Sequence, residues 1–410
     1  MPKSRLSAPE RVYRRRRVTV FGLLAVLLLG AGYTSLAVLR PIPANAAELE
    51  PTIPISQPAT SLAWPGFGTG AIGAVGIDGI LDDSGVQQST PMASITKTVT
   101  ALVVLDEMPL AAGEDGPTLT LTDADARIYD ETIAEGGSAA KVAPGSVFTE
   151  RQLLQAMMLP SANNYSVTLA HWAFGSMPAY LKAAGDWLTA HDLAGTHVAD
   201  SSGLDSDSRS TPADLVAIGK LALAHPALSV IVQEQSAELP VIGKVENTNK
   251  LLGSNGVIGL KTGTTQVAGA CLLFAAEATV GDETITFVGV LLGAPNHRQL
   301  NQAVTSLIAS ATAGFHEVQL VEAGDSYGSY STPWGATADI VAADSASVVV
   351  WQDAPVTVTP TASAVEFADE GDEVGSVTFE HDGESIVVPL VLEDELAGAD
   401  LGWKLSNAFG

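Results

Sequence analysis

The chain has 410 residues, 46% hydrophobic and only 16% charged, enough for two domains with sizeable cores beyond a targeting segment. Its net charge is −26, and residues 1–46 hold eight of the 20 Lys and Arg, leaving 12 basic against 45 acidic residues from Glu48 onward. A body that acidic repels a phosphate backbone, so nucleic acid is excluded as a partner. The single cysteine, Cys271, rules out an internal disulfide. Its apolar setting, Ala270 to Phe274, reads as a buried strand rather than a reactive thiol. The seven histidines show no His-x-His or His-Glu-x-x-His spacing, so neither a catalytic metal nor a cofactor is expected.

Residues 1–17 are basic and end in Arg14-Arg15-Arg16-Arg17; Val18 to Leu39 then runs 22 residues without a charge. That length spans a bilayer, with the arginines held in the cytoplasm and the rest of the chain exported. Ala44-Asn45-Ala46 is also a plausible signal-peptidase site, so the segment reads as a retained anchor or a cleaved signal. Six prolines between Pro41 and Pro65 mark a stiff, exposed linker.

Ala71 to Ile77 reads as a first strand and Asp82-Asp83-Ser84-Gly85 as a turn. An apolar helix then begins at Pro91-Met92-Ala93-Ser94-Ile95-Thr96-Lys97. Ser94 and Lys97, three apart, are neighbours on a helix surface. A serine hydroxyl needs a base, and a lysine serves only if burial or a nearby cation keeps it partly neutral. A second Ser-x-x-Lys, Ser138 to Lys141, lies in a polar stretch after Gly136-Gly137 and reads as loop. Thr149-Glu150-Arg151-Gln152 is a capping box opening a helix through Leu159, and Pro160 stops it. Ser161-Ala162-Asn163 then occupies a short loop before the next helix. Ser202-Gly203-Leu204 is a turn; Thr211-Pro212 caps and opens another helix. Lys261-Thr262-Gly263-Thr264-Thr265 reads as a strand edge and turn where a glycine permits close approach. Thr284 to Leu292 is a further strand and Gln299 to Ala313 a closing helix. From Val318 short β-rich runs alternate with acidic turns, with no Lys or Arg between Arg298 and Lys404, which reads as a small all-β sandwich.

Ser-x-x-Lys, Ser-x-Asn and Lys-Thr-Gly thus occur in order at separations of 67 and 100 residues. With Leu159-Pro160, Ser202-Gly203-Leu204 and Asn247-Thr248-Asn249 around them, the stretch from Ala71 to Phe315 resembles the D-alanyl-D-alanine carboxypeptidases, the low-molecular-mass penicillin-binding proteins. The resemblance implies an α/β (α+β) fold of the serine β-lactamase and penicillin-binding transpeptidase type, an antiparallel sheet flanked by helices, with the small β-sandwich behind it. It divides the chain into a basic N-terminus with its hydrophobic segment (1–46), a linker (47–68), a penicillin-binding peptidase domain (69–317) and the C-terminal β-domain (318–410). It implies Ser94 as nucleophile, Lys97 as base, Ser161 as proton relay and Asn163 as the residue holding Lys97 and the substrate amide. Lys261, Thr262 and Thr264 would take the terminal carboxylate, and the N–H groups of Ser94 and Thr264, beside Gly263, would form the oxyanion hole. Expected partners are a peptidoglycan stem peptide ending in D-Ala-D-Ala, β-lactams as covalent inhibitors, and the membrane through the N-terminal segment, on the outer face of the cytoplasmic membrane or in the wall. The chain departs from the family's pattern in Asn164-Tyr165 after Ser-x-Asn, in the short stretch before Ser94, which lacks a clear second strand, and in its short acidic C-terminus. The alternatives are a serine β-lactamase, against which stands the lack of a Glu-x-x-Leu-Asn-like element in residues 164–260, and a non-catalytic penicillin-binding sensor, whose motifs would be damaged.

Overall fold

The computed structural model describes residues 8–408, which form two compact units: residues up to Pro58 together with Glu317 onward, and Ala59–His316. The larger unit is built on a five-stranded antiparallel sheet. Its strands, in spatial order, are Val257–Thr265, Gly269–Val280, Glu283–Ala294, Thr69–Ala74 and Asp82–Ser84. The three longest are joined by tight turns, and their central residues, such as Leu272, Phe274, Val288 and Val290, are wholly buried. Asp82–Ser84, expected as a turn, pairs with Gly70 to Ile72 and forms the sheet edge. Two aspartates and a serine have poor strand propensity, but an edge position needs no buried face.

Thr96–Glu107, the helix after Ser94, is buried on every side from Thr96 to Leu105. A helix buried all round belongs in the middle of a domain. It packs against Asn163–Phe174, Pro212–Ala224 and the helix Met177–Ala190. Caps set where the surrounding helices begin. Thr149 Oγ1 accepts from Gln152 N–H and Gln152 Oε1 accepts from Thr149 N–H, closing the expected capping box of Glu150–Met158. Thr211 caps Pro212–Ala224 with Pro212 in its first turn, and Asn296 caps the closing helix His297–Thr312. Each such cap contributes about 1 kcal/mol.

The other unit carries a six-stranded antiparallel sheet in the order Glu48–Leu49, Ser326–Ser331, Thr337–Ala342, Glu384–Leu392, Glu373–His381, Thr357–Ala362. A two-stranded pair, Phe315–Val321 with Ala346–Trp351, completes its strands. Alternating residues such as Tyr330, Ile340, Val377 and Leu390 close its core. Part of the proline-rich stretch is not free linker. Asn45 pairs with Val365, Glu48 and Leu49 with Ser329 and Gly328, and Ile55 with Val356. The helix Ala8–Leu39 contains the charge-free run Val18–Leu39, and an 18-residue window within Val12–Leu39 has a mean hydropathy of 2.0 and is 6% buried.

One buried acid in the larger unit lacks compensation. Glu150 is fully buried at the first turn of its helix, and neither carboxylate oxygen has a partner among the described residues. Burial lifts its pKa to about 7. The folded chain therefore holds this proton where an unfolded glutamate has lost it, and the resulting stabilisation fades as pH rises through 7. Glu150→Gln is expected to raise the melting temperature more at pH 8 than at pH 5. Thermal melts at both pH values check this; an equal shift would show that the carboxylate does not titrate in that window.

Candidate active site

Ser94 lies in a single 3-10 turn, Ala93–Ile95, ahead of the buried helix. Two glycines let neighbouring backbone close on it. Gly203, at φ +78°, sits where an added Cβ would fall 1.8 Å from Ala93 O. At Gly263 an added Cβ would come within 3.0 Å of Met92 O and of Ser94 N. Strand and loop thus grip the turn from backbone, and Ala93 is held at φ +48°. Thr96 Oγ1 donates to Ala93 O at 2.8 Å and steadies the same peptide.

Lys97 is wholly buried. Its Nζ donates to Ser94 Oγ at 2.9 Å, Asn163 Oδ1 at 2.8 Å and Ser202 O at 2.9 Å. These acceptors come from three separate parts of the chain, joined only by folding. Burial pushes the Lys97 pKa well below its ordinary value, the positive Lys261 pushes it the same way, and Asp200 opposes them. Lys261, also buried, donates to Thr262 O at 3.0 Å, and desolvation brings its pKa down to about 7.

These residues border an open cleft of about 420 Å3, lined by Ser94, Ser161, Thr262, Gly263 and Thr264 among others. Ser161 is held at φ +63° just before the helix that Asn163 opens. Of the residues expected from the three motifs, Ser94, Lys97 and Asn163 are joined directly, while Ser161, Thr262, Gly263 and Thr264 share the cleft wall. Lys261 is 1% exposed and lies behind the cleft wall rather than on it.

Sequence reasoning missed three participants. The carboxylate of Asp200 accepts from the N–H groups of Ser202, Gly203, Leu204 and Asp205 and from the hydroxyls of Ser202 and Ser208. It fastens the loop that supplies the Ser202 carbonyl. The acid two residues before Ser202-Gly203 was the available signal, since aspartates cap such turns. His297, opening the closing helix, has Nε2 2.6 Å from Thr264 Oγ1; no local pattern marks it. Ser138 stays in a loop, as expected, but that loop borders the cleft, and its carbonyl accepts from Asn163 N–H at 2.7 Å.

Chemically, the arrangement provides a partly exposed hydroxyl, an amine within proton-transfer distance that stays neutral more readily than a free lysine, and a second cation behind the cleft wall. That is the equipment of acyl transfer through a serine.

A family model described as D-alanyl-D-alanine carboxypeptidase matches residues 77–296, more than half of the chain. The chain is 34% identical over 185 residues to the D-alanyl-D-alanine carboxypeptidase DacB2 of Mycobacterium tuberculosis, covering 43% of this chain and 59% of that relative. It is 27% identical over 331 residues to DacA of Escherichia coli, 76% of this chain and 79% of that one. Among solved structures, the Streptomyces K15 DD-transpeptidase aligns with a TM-score of 0.54 at 26% identity, over 61% of this chain and 98% of its own. Penicillin binding protein 5 of Haemophilus influenzae, at 20% identity and TM-score 0.56, shares the fold over 84% of this chain and all of its own.

The grip on the Ser94 turn yields a test. Gly203→Ala is expected to lower the reaction of Ser94 with an acylating probe by roughly 100-fold, because a misplacement of about 1 Å costs that much. Circular dichroism should stay native. Unchanged labelling would show that the loop does not position the serine.

Proposed function

The chain belongs to the D-alanyl-D-alanine carboxypeptidase family of serine peptidases, and we propose that it removes the terminal D-alanine of peptidoglycan stem peptides through an acyl-enzyme on Ser94. The observation that carries the reading is the buried Lys97 amine, 2.9 Å from the Ser94 hydroxyl and shared with Asn163 and Ser202.

In this reading neutral Lys97 accepts the Ser94 proton while Oγ attacks the carbonyl carbon of the penultimate D-alanine. The oxyanion is met by the N–H groups of Ser94 and Thr264, brought close because Gly263 has no side chain. The carbon–nitrogen bond breaks as the leaving amine takes a proton through Ser161, and D-alanine departs. Water then attacks the ester, returning the proton to Ser94. Asn163 holds Lys97 and the substrate amide. Thr262 and Thr264 hydrogen-bond the terminal carboxylate, with Lys261 supplying positive potential from behind them. A β-lactam ring opens on the same serine and leaves a longer-lived ester. The exported body is held at the outer face of the membrane by Val18–Leu39 as an uncleaved anchor, a reading supported by its 22 charge-free residues and the four arginines just before it.

Ser94→Ala is expected to abolish both fluorescent-penicillin labelling and D-alanine release from a diacetyl-Lys-D-Ala-D-Ala peptide. Labelling that survives in this variant would sink the assignment.

The two amines also set the pH response. Acylation needs Lys97 neutral, so its rate falls as acid protonates this amine. Binding of a carboxylate needs Lys261 charged; its free-site pKa of about 7 predicts weaker binding above neutrality, offset upward by the bound anion. In Lys261→Arg the charge no longer titrates, so the alkaline limb of penicillin acylation should disappear while the acid limb stays. An alkaline limb that persists would assign it to another group.

A further inference from the structure

The C-terminal β unit is acidic, and one end of it, where Glu366 and Asp400 also lie, gathers aromatic and basic side chains. Trp334, in the turn between Ser326–Ser331 and Thr337–Ala342, donates its indole N–H to Ala397 O at 2.7 Å. It packs edge-on against Trp403 with ring centroids 5.4 Å apart. Trp403 belongs to the short helix Leu401–Ser406. Nearby, Phe367 lies against Gly398 and is 65% exposed, and Leu401 is 58% exposed. The same helix carries Lys404, the only Lys or Arg in the sequence after Arg298.

The end of the apolar N-terminal helix meets this patch within the same unit. Tyr33 donates its hydroxyl to Leu405 O. Arg40 donates to Asn407 O at 3.2 Å and Ala408 O at 3.3 Å, and Ala37 is 3% exposed although its helix is otherwise bare. A groove of about 170 Å3 remains, lined by Ile42, Pro43 and Trp403 together with Arg40 and Lys404.

We propose that this end of the β unit is a lipid-contacting surface, lying in the outer-leaflet interface at the point where the membrane span emerges. The inference rests on the reading that the span is retained. Tryptophan and tyrosine favour the headgroup level because each joins an apolar ring to a polar N–H or O–H. Exposed Leu401 and Phe367 gain by leaving water at that boundary. Lys404 and Arg40 meet lipid phosphates, whereas the acidic remainder of the unit is repelled by them. The span itself fixes the depth: its last apolar residues, Val38 and Leu39, directly precede Arg40. The contacts of Tyr33 and Ala37 set the patch beside the last two turns of the span.

Full-length protein in phosphatidylcholine–phosphatidylglycerol vesicles tests this. Leu401→Cys and, as a control, Asp382→Cys are each spin-labelled, the native Cys271 being buried. Asp382 lies in the turn after strand Glu373–His381, at the far end of a nine-residue strand, some 27 Å of chain at about 3.3 Å per residue. The label at 401 is expected to collide with dissolved oxygen and to be shielded from a water-soluble nickel chelate, and the label at 382 to do the reverse. Equal nickel access at both positions, in protein that floats with the vesicles and has its full mass, overturns the proposal while leaving the anchor intact. Dipolar broadening between labels at 401 overturns it in favour of a second copy of the chain. Protein that lacks residues 1–46 and does not float removes the anchor reading and this inference with it.

Discussion

The cleft depends on keeping one ammonium group out of water with its hydrogen-bonding capacity met. Lys97 has three N–H donors, and the fold supplies three acceptors: Ser94 Oγ, Asn163 Oδ1 and Ser202 O. Burying such an ion costs several kcal/mol even after relaxation, so every acceptor matters. The cost is also what makes the group useful, because the environment that disfavours the charge favours the neutral base. Lys261 adds to the push and Asp200 moderates it. The loop 200–204 and the helix beginning at Asn163 meet at this amine, and the strand edge at Gly263 closes on the turn that carries Ser94.

The supporting contacts explain why the meeting is rigid. Thr100 Oγ1 donates to Ser201 O at 2.8 Å and lies 2.7 Å from Tyr180 Oη, while Ser166 Oγ lies 3.1 Å from Ser201 Oγ. Asp200 closes the far side of the same loop. The Ser202 carbonyl is thus aimed by residues from several helices, none of which touches the cleft. Buried polar networks of this kind specify one arrangement when every member is satisfied.

What could be read from the sequence was what is local. Ser94 with Lys97, Ser161 with Asn163, and Lys261 to Gly263 carry their spacing in a few residues, and the caps Thr149 and Thr211 do likewise. The family resemblance then gave those fragments a common cleft. Tertiary pairings were illegible. Asp82–Ser84 looks like a turn because its residues are turn formers, and it becomes a strand only because Gly70 to Ile72 offers an open edge. The prolines near Ile55 look like free linker, yet an edge strand tolerates a missing N–H, so the segment can still pair with Ser329 and Val356. His297 and Thr264 are 33 residues apart, and only the turn into the closing helix brings them together.

The two buried lysines have a consequence for how such a chain can change over time. Replacing a hidden cation with an apolar side chain of similar size is often neutral or favourable for folding. Selection for robustness alone would therefore act first on Lys261, which donates to the carbonyl of its own neighbour Thr262, and would spare Lys97, whose loss orphans the buried acceptors of Asn163 and Ser202. The product would be a sturdier shell that still has the cleft and its threonine wall but no cation behind that wall. A buried amine that does little for folding is thus a cost the fold carries.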